Sequence, residues 1–116
     1  MNPLLQQIGT VFIPVKDIEK ARDWYCDLLG ISDPIEVLFG HICTLPLEGV
    51  NLVLDSKIYS PDSIYQVPAF HLNTHDIEEA YQYCKSKEVE LVTEIMHGHW
   101  FTVKDPNGNH IMICKC

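Results

Sequence analysis

The chain is poor in positive charge. Its 116 residues carry 8 Lys and Arg against 16 Asp and Glu, a formal net charge of −8. No basic stripe runs along it. Nucleic-acid binding needs clustered cations to neutralise phosphates, so it is not expected. An acidic surface serves solubility and agrees with a cationic ligand. The chain also lacks any apolar run near ~18 residues, the length a membrane-spanning helix requires. Its first residues show no positive stretch followed by an apolar core, so no signal peptide is expected. The five cysteines are odd in number and include no CxxC pair. A cysteine zinc site is not expected at such spacing, and reduced thiols in a cytoplasmic protein are.

What is present suffices for one domain spanning residues 1–116. The hydrophobic fraction of 47% is that of an ordinary globular protein, and the length allows a core without staples. The closing segment from Trp100 to Cys114 reads as strand, turn, strand. Pro106 presets the first corner of the turn, Asn107 suits the second, and Gly108 takes a positive φ without steric penalty. β-branched and aromatic residues alternate on both sides, as in half-buried strands.

An internal repeat organises the rest. Val11 to Ala21 and Phe70 to Ala80 share one pattern: an alternating strand, then Asp-Ile-Glu-x-Ala opening a helix. The offset is about half the chain. Two units are too few for a solenoid and point to pseudo-twofold symmetry. In the first unit (residues 8–55) a strand to Val15 precedes a helix capped by Asp17. That helix carries Ile18, Ala21, Trp24, Tyr25 and Leu28 on one face and ends at Gly30. Short strands follow at 35–39, 42–47 and 50–54. Residues 56–66 form a linker or a covering loop. The second unit (67–116) has a strand at 67–73, a helix from Asp76 with Glu79 completing a capping box, a strand at 90–95 and the closing hairpin. Each half is strand, helix, strand, strand, strand, an α+β arrangement.

The segments Val15-Lys16-Asp17-Ile18-Glu19-Lys20-Ala21-Arg22-Asp23-Trp24-Tyr25, Leu28-Leu29-Gly30-Ile31 and Asp105-Pro106-Asn107-Gly108-Asn109 resemble the vicinal oxygen chelate superfamily. That family includes glyoxalase I, extradiol dioxygenases, fosfomycin-resistance enzymes and bleomycin-resistance proteins. The resemblance implies two βαβββ modules forming a cup-shaped half-barrel, with helices outside and ligand inside. Metal-dependent members place His or Glu at four inward positions. Here these fall on Thr10, Ala69, Met112 and, within Val50 to Leu54, on Leu52 or Leu54. None is a good donor for zinc, nickel, iron or manganese, so no metal and no cofactor are expected.

Alternation then places Phe12, His71, Asn73, His110 and Cys114 inward with Met112, and the resemblance adds Trp100 and Thr102. His75 is expected in solvent, His97 and His99 away from the cup, and His41 beside a turn. The expected function is metal-free binding of a small molecule, possessing aromatic or cationic character, by a homodimer of the bleomycin-resistance type. Phe12, Trp100 and Met112 would pack on it. His71, Asn73, Thr102 and His110 would fix its polar groups, and Cys114 completes the expected ligand-binding set. The alternative is a lyase or dioxygenase whose metal has moved to His71, His110 and Cys114. No catalytic residue is assigned, because no paired carboxylate or activated nucleophile lies in the inward set.

Overall fold

A computed structural model describes residues 2–116. Strand β1 (Thr10–Pro14) leads into helix α1 (Ile18–Leu29), then β2 (Val37–Leu38), β3 (Ile42–Leu45) and β4 (Asn51–Asp55). The second half repeats the order: β5 (His71–Asn73), α2 (Ile77–Ser86), β6 (Glu90–Leu91), β7 (Trp100–Lys104) and β8 (His110–Cys114). The strands make two four-stranded sheets, ordered β1-β4-β3-β2 and β5-β8-β7-β6. In each, the first strand pairs parallel with the last and the remaining pairs are antiparallel. Both sheets are open. Several strands are shorter than the sequence pattern predicts: 35–39 contracts to two residues, 67–73 to three and 90–95 to two. Each has a polar or proline-bearing flank where the ladder stops.

The helix ends follow their sequence signals. The Asp17 carboxylate accepts from the Lys20 N–H at 3.1 Å. Gly30 closes α1 in the left-handed region at φ 70°, and the Ile31 N–H reaches the Cys26 carbonyl at 2.9 Å. Asp76 accepts from the Glu79 N–H at 3.0 Å. The reciprocal half of that capping box is absent; the Asp76 N–H donates to Thr74 Oγ1 instead. Pro14 sits at the end of an edge strand, where its missing N–H breaks no ladder.

Alternate residues of every strand turn toward the helices. Ile13, Cys43, Leu45, Leu52, Leu54, Phe101, Val103, Ile111 and Ile113 are buried there with Ile18, Ala21, Tyr25, Leu28, Ile77 and Cys84, in one core that spans both halves.

The halves are latched by the turn after β7. Its Gly108 N–H donates to the Asp105 carbonyl at 3.0 Å, closing the predicted four-residue turn. Asp105 is buried, and its carboxylate accepts from the Tyr25 hydroxyl at 2.6 Å, Asn109 Nδ2 at 2.9 Å, and the N–H groups of Asn107 (2.8 Å) and Asn109 (2.9 Å). Asn109 Nδ2 also donates to the Pro14 carbonyl, and the Lys16 N–H donates to Asn107 Oδ1. A common hairpin turn thus binds both β1 and α1 of the other half. At the opposite end of α1, the Tyr83 hydroxyl donates to the Leu28 carbonyl at 2.8 Å. The segment 56–66 is tied down by Tyr65. Its hydroxyl donates to the Phe12 carbonyl, its N–H donates to Asn109 Oδ1, and its carbonyl accepts from the His110 N–H.

Candidate functional site

The face of each sheet turned away from the helices carries the candidate site. In the second sheet the register sets its residues in rows. His71, Met112 and Thr102 form one row; Asn73, Cys114 and Trp100 form the next; His110 lies opposite Lys104. Seven of the eight residues expected to meet ligand therefore share one sheet face. The eighth, Phe12, belongs to the first sheet, in the row Phe12, Val53, Thr44.

These residues differ in what they offer. Phe12 is 53% exposed, a large apolar surface left in solvent. His71 and Asn73 are exposed, and Trp100 and Met112 are half-buried. Thr102 is buried, because the chain before β7 folds over it: the Val92 and Thr93 N–H groups both reach the Thr102 carbonyl, and the Thr102 N–H donates to Thr93 Oγ1. His110 Nδ1 donates to the Tyr65 carbonyl at 2.9 Å, which fixes the ring against the linker. Cys114 is buried and bonded to Cys116 as a disulfide, where the sequence suggested five reduced cysteines.

The register corrects one position. Leu52 and Leu54 lie opposite Val11 and Ile13, on the helix side. The residue of β4 that faces the open side beside Phe12 is Val53, just as Met112 does beside His71. The four positions at which the resemblance implies metal ligands are then Thr10, Val53, Ala69 and Met112. A hydroxyl, two hydrocarbon side chains and a thioether do not fit a divalent metal that takes imidazole and carboxylate. Among the described residues, the histidine, cysteine and carboxylate donors that do converge are His71, Cys114 and Cys116. His110 is not among them, since its Nδ1 is engaged by Tyr65.

One polar pair escaped the sequence reading. His41 Nδ1 donates to Asp55 Oδ1 at 2.8 Å, with both side chains largely buried. The Lys57 N–H donates to the same oxygen at 2.9 Å. Burial alone raises the Asp55 carboxyl, but the hydrogen bonds and charge of His41 and Lys57 outweigh it, so the group lies below its ordinary value. A depressed folded-state pKa means that the fold favours the ionised form. Its contribution is complete above the ordinary carboxylate pKa and is lost as pH falls through the folded value. In urea unfolding, the stability gap between wild type and Asp55→Asn is expected to be widest near neutrality and to narrow below about pH 4. A gap that stays constant with pH would show that the charge of Asp55 is not what stabilises. The sequence pattern ends the strand at residue 54 and sets His41 beside a turn, so neither residue points to the other before the fold brings them together.

The remaining thiols lie elsewhere. Burial pushes Cys43 and Cys84 up to about 11, so neither supplies a thiolate near neutrality. Among the described residues, no helix is long and apolar enough to cross a membrane.

Solved structures of the same architecture are numerous. A member of the glyoxalase/bleomycin resistance protein/dioxygenase superfamily from Sphaerobacter thermophilus DSM 20745 superposes with a TM-score of 0.72 at 24% identity, over 97% of this chain and 98% of that one. TnmS3, an antibiotic binding protein from Streptomyces sp. CB03234, gives 0.74 at 20% identity over 98% of both. Lactoylglutathione lyase from Agrobacterium tumefaciens gives 0.70 at 17% identity, over 98% of this chain and 96% of that one. No curated protein sequence matches the chain. The family model described as Glyoxalase/Bleomycin resistance protein/Dioxygenase superfamily matches residues 7–113. With the paired βαβββ modules and the open faces beside them, this places the chain in that superfamily.

Proposed function

We propose that the chain binds a small organic molecule on the open sheet faces without a metal at the family's usual positions. The observation that carries this reading is the state of those faces. Phe12 stands 53% exposed, and His71 and Asn73 are exposed beside half-buried Trp100 and Met112. The four metal positions hold no imidazole or carboxylate. Aromatic rings supply stacking area for a planar or cationic ligand. Neutral histidine and asparagine both donate and accept, which suits recognition of its polar groups. The likeness to an antibiotic binding protein, TnmS3, supports the same reading. A second copy of the chain would cover Phe12 and complete the walls, making the homodimer the binding form.

The test is a thermal-shift and equilibrium-dialysis screen of chelator-treated protein against planar aromatic and cationic compounds, bleomycin-type antibiotics included. A hit is expected to weaken by more than about ten-fold in Trp100→Ala or Phe12→Ala, since aromatic anchors carry a large share of binding energy. Ligand affinity that disappears on chelation would overturn the metal-free reading. No saturable ligand across the screen would overturn binding as the role.

A further inference from the structure

We propose that His71, Cys114 and Cys116 form a site for a thiophilic d¹⁰ ion, Zn²⁺ or Cu⁺, when the two cysteines are reduced. One imidazole nitrogen and two sulfurs lie within 4.8 Å of one another. The site uses none of the four positions at which metal-dependent relatives hold their ion, and it does not rest on the small-molecule reading.

The disulfide itself gives the first argument. Cys114 and Cys116 are two residues apart in sequence. Cross-linking so short a loop removes little freedom from the unfolded chain, so the bond is a poor staple. The pair is better suited to chemistry than to holding the fold. The second argument is the scaffold. The Cys114 carbonyl accepts from the Thr74 N–H at 3.0 Å, and the Lys115 N–H donates to the His99 carbonyl at 2.7 Å. The backbone below the site is therefore fixed from both neighbouring strands. Cys114 is buried, whereas His71 and Cys116 are exposed. One anchored donor and two that reach solvent give an ion a way in. The third argument is donor type. Two thiolates with one imidazole select zinc or cuprous ion over hard cations. For zinc, three protein ligands leave a fourth position for water.

Reduction by a trialkylphosphine opens the site. The phosphine takes the oxygen of one water molecule and becomes its oxide, and the two sulfurs each leave with one of that water's protons. Binding the ion then releases both thiol protons.

The experiment uses the whole chain, phosphine-reduced and held without oxygen. Zn²⁺ is titrated against a chromogenic chelator, and Cu⁺ against a cuprous-specific one. One ion per chain is expected, and the two arms decide which is held more tightly. Trp100 lies opposite Cys114 in the register, so its fluorescence is expected to change on loading. Cys116→Ser and His71→Gln are each expected to weaken binding by more than about ten-fold, while Cys26→Ser, on helix α1, leaves it unchanged. Residue 116 is exposed, so thermal unfolding of Cys116→Ser should match wild type and exclude misfolding as the cause. The oxidised chain is expected to bind neither ion. Failure of the reduced chain to bind either ion, or full binding retained in Cys116→Ser, would overturn the site.

Discussion

Asp105→Ala is expected to lower stability by about 3–5 kcal/mol. The carboxylate is 4% exposed and accepts four hydrogen bonds. Alanine leaves the Tyr25 hydroxyl, one Asn109 amide proton and two backbone N–H groups without their acceptor. A buried donor left unpaired costs about 1–3 kcal/mol, and water entering the space recovers only part of the sum. Burial of Tyr25, then the neighbouring Asp105 charge and their hydrogen bond, raise the Tyr25 phenol well above its ordinary value. It is therefore the protonated donor throughout the neutral range. A domain of this size holds about 5–15 kcal/mol in total, so the loss should appear as a fall in Tm of more than about 10 °C. Asp105→Asn keeps one acceptor oxygen for the backbone and should fall between the two. Thermal unfolding of the pair, with exposed Asp33→Ala as reference, decides the matter. A shift of only a degree or two for Asp105→Ala would mean that the latch between the halves is held by packing alone.

Phe101→Ala is the second large effect, about 3–5 kcal/mol by cavity formation. The ring is wholly buried on the helix side and meets Tyr81 edge-on at 5.1 Å between centroids. Phe12→Ala makes the contrast. It removes a ring of the same size from the open face, where 53% of it is in solvent. The expected loss in the single chain is about 1 kcal/mol, from the smaller area withdrawn from water. Denaturant titration of both variants at low protein concentration measures the difference directly. Equal losses would show that Phe12 packs against something within one chain. A Phe12→Ala loss that grows with protein concentration would instead report its burial between two copies.

Much of the fold was legible because its signals are local. Asp17 and Asp76 cap helices, Gly30 ends one, and strand alternation sorts Ile111 and Ile113 from His110 and Met112. Strand lengths were less legible. Pairing ends where a neighbour ends; in 67–73 Pro68 is the one residue whose missing N–H argues against a full-length strand, and only the last three residues find a partner. Leu52 and Leu54 were misplaced because three apolar residues in a row, Leu52 to Leu54, carry no alternation to read; the register with β1 fixes them. The open-face residues of β5 and β8 followed from counting in twos, and those of β7, Trp100 and Thr102, from the family resemblance. Their surroundings did not. That Tyr65 takes both the backbone N–H and Nδ1 of His110, and that the chain before β7 covers Thr102, are long-range contacts. So is the approach of His71 to Cys114 and Cys116, which lie in separate strands or beyond them.

The repeat has a consequence for how this chain can change over generations. The register makes Phe12 the counterpart of His71, Val53 of Met112, and Asp55 of Cys114. These wall positions therefore exist twice, and the members of all three pairs differ in chemistry, whereas Thr44 and Thr102, the next residues in the rows of Val53 and Met112, are alike. A substitution on one open face leaves its counterpart intact, and both faces lie away from the core shared by the two halves. Inheritance can then explore new ligands one wall at a time, while selection for folding acts chiefly on the opposite side of the same strands.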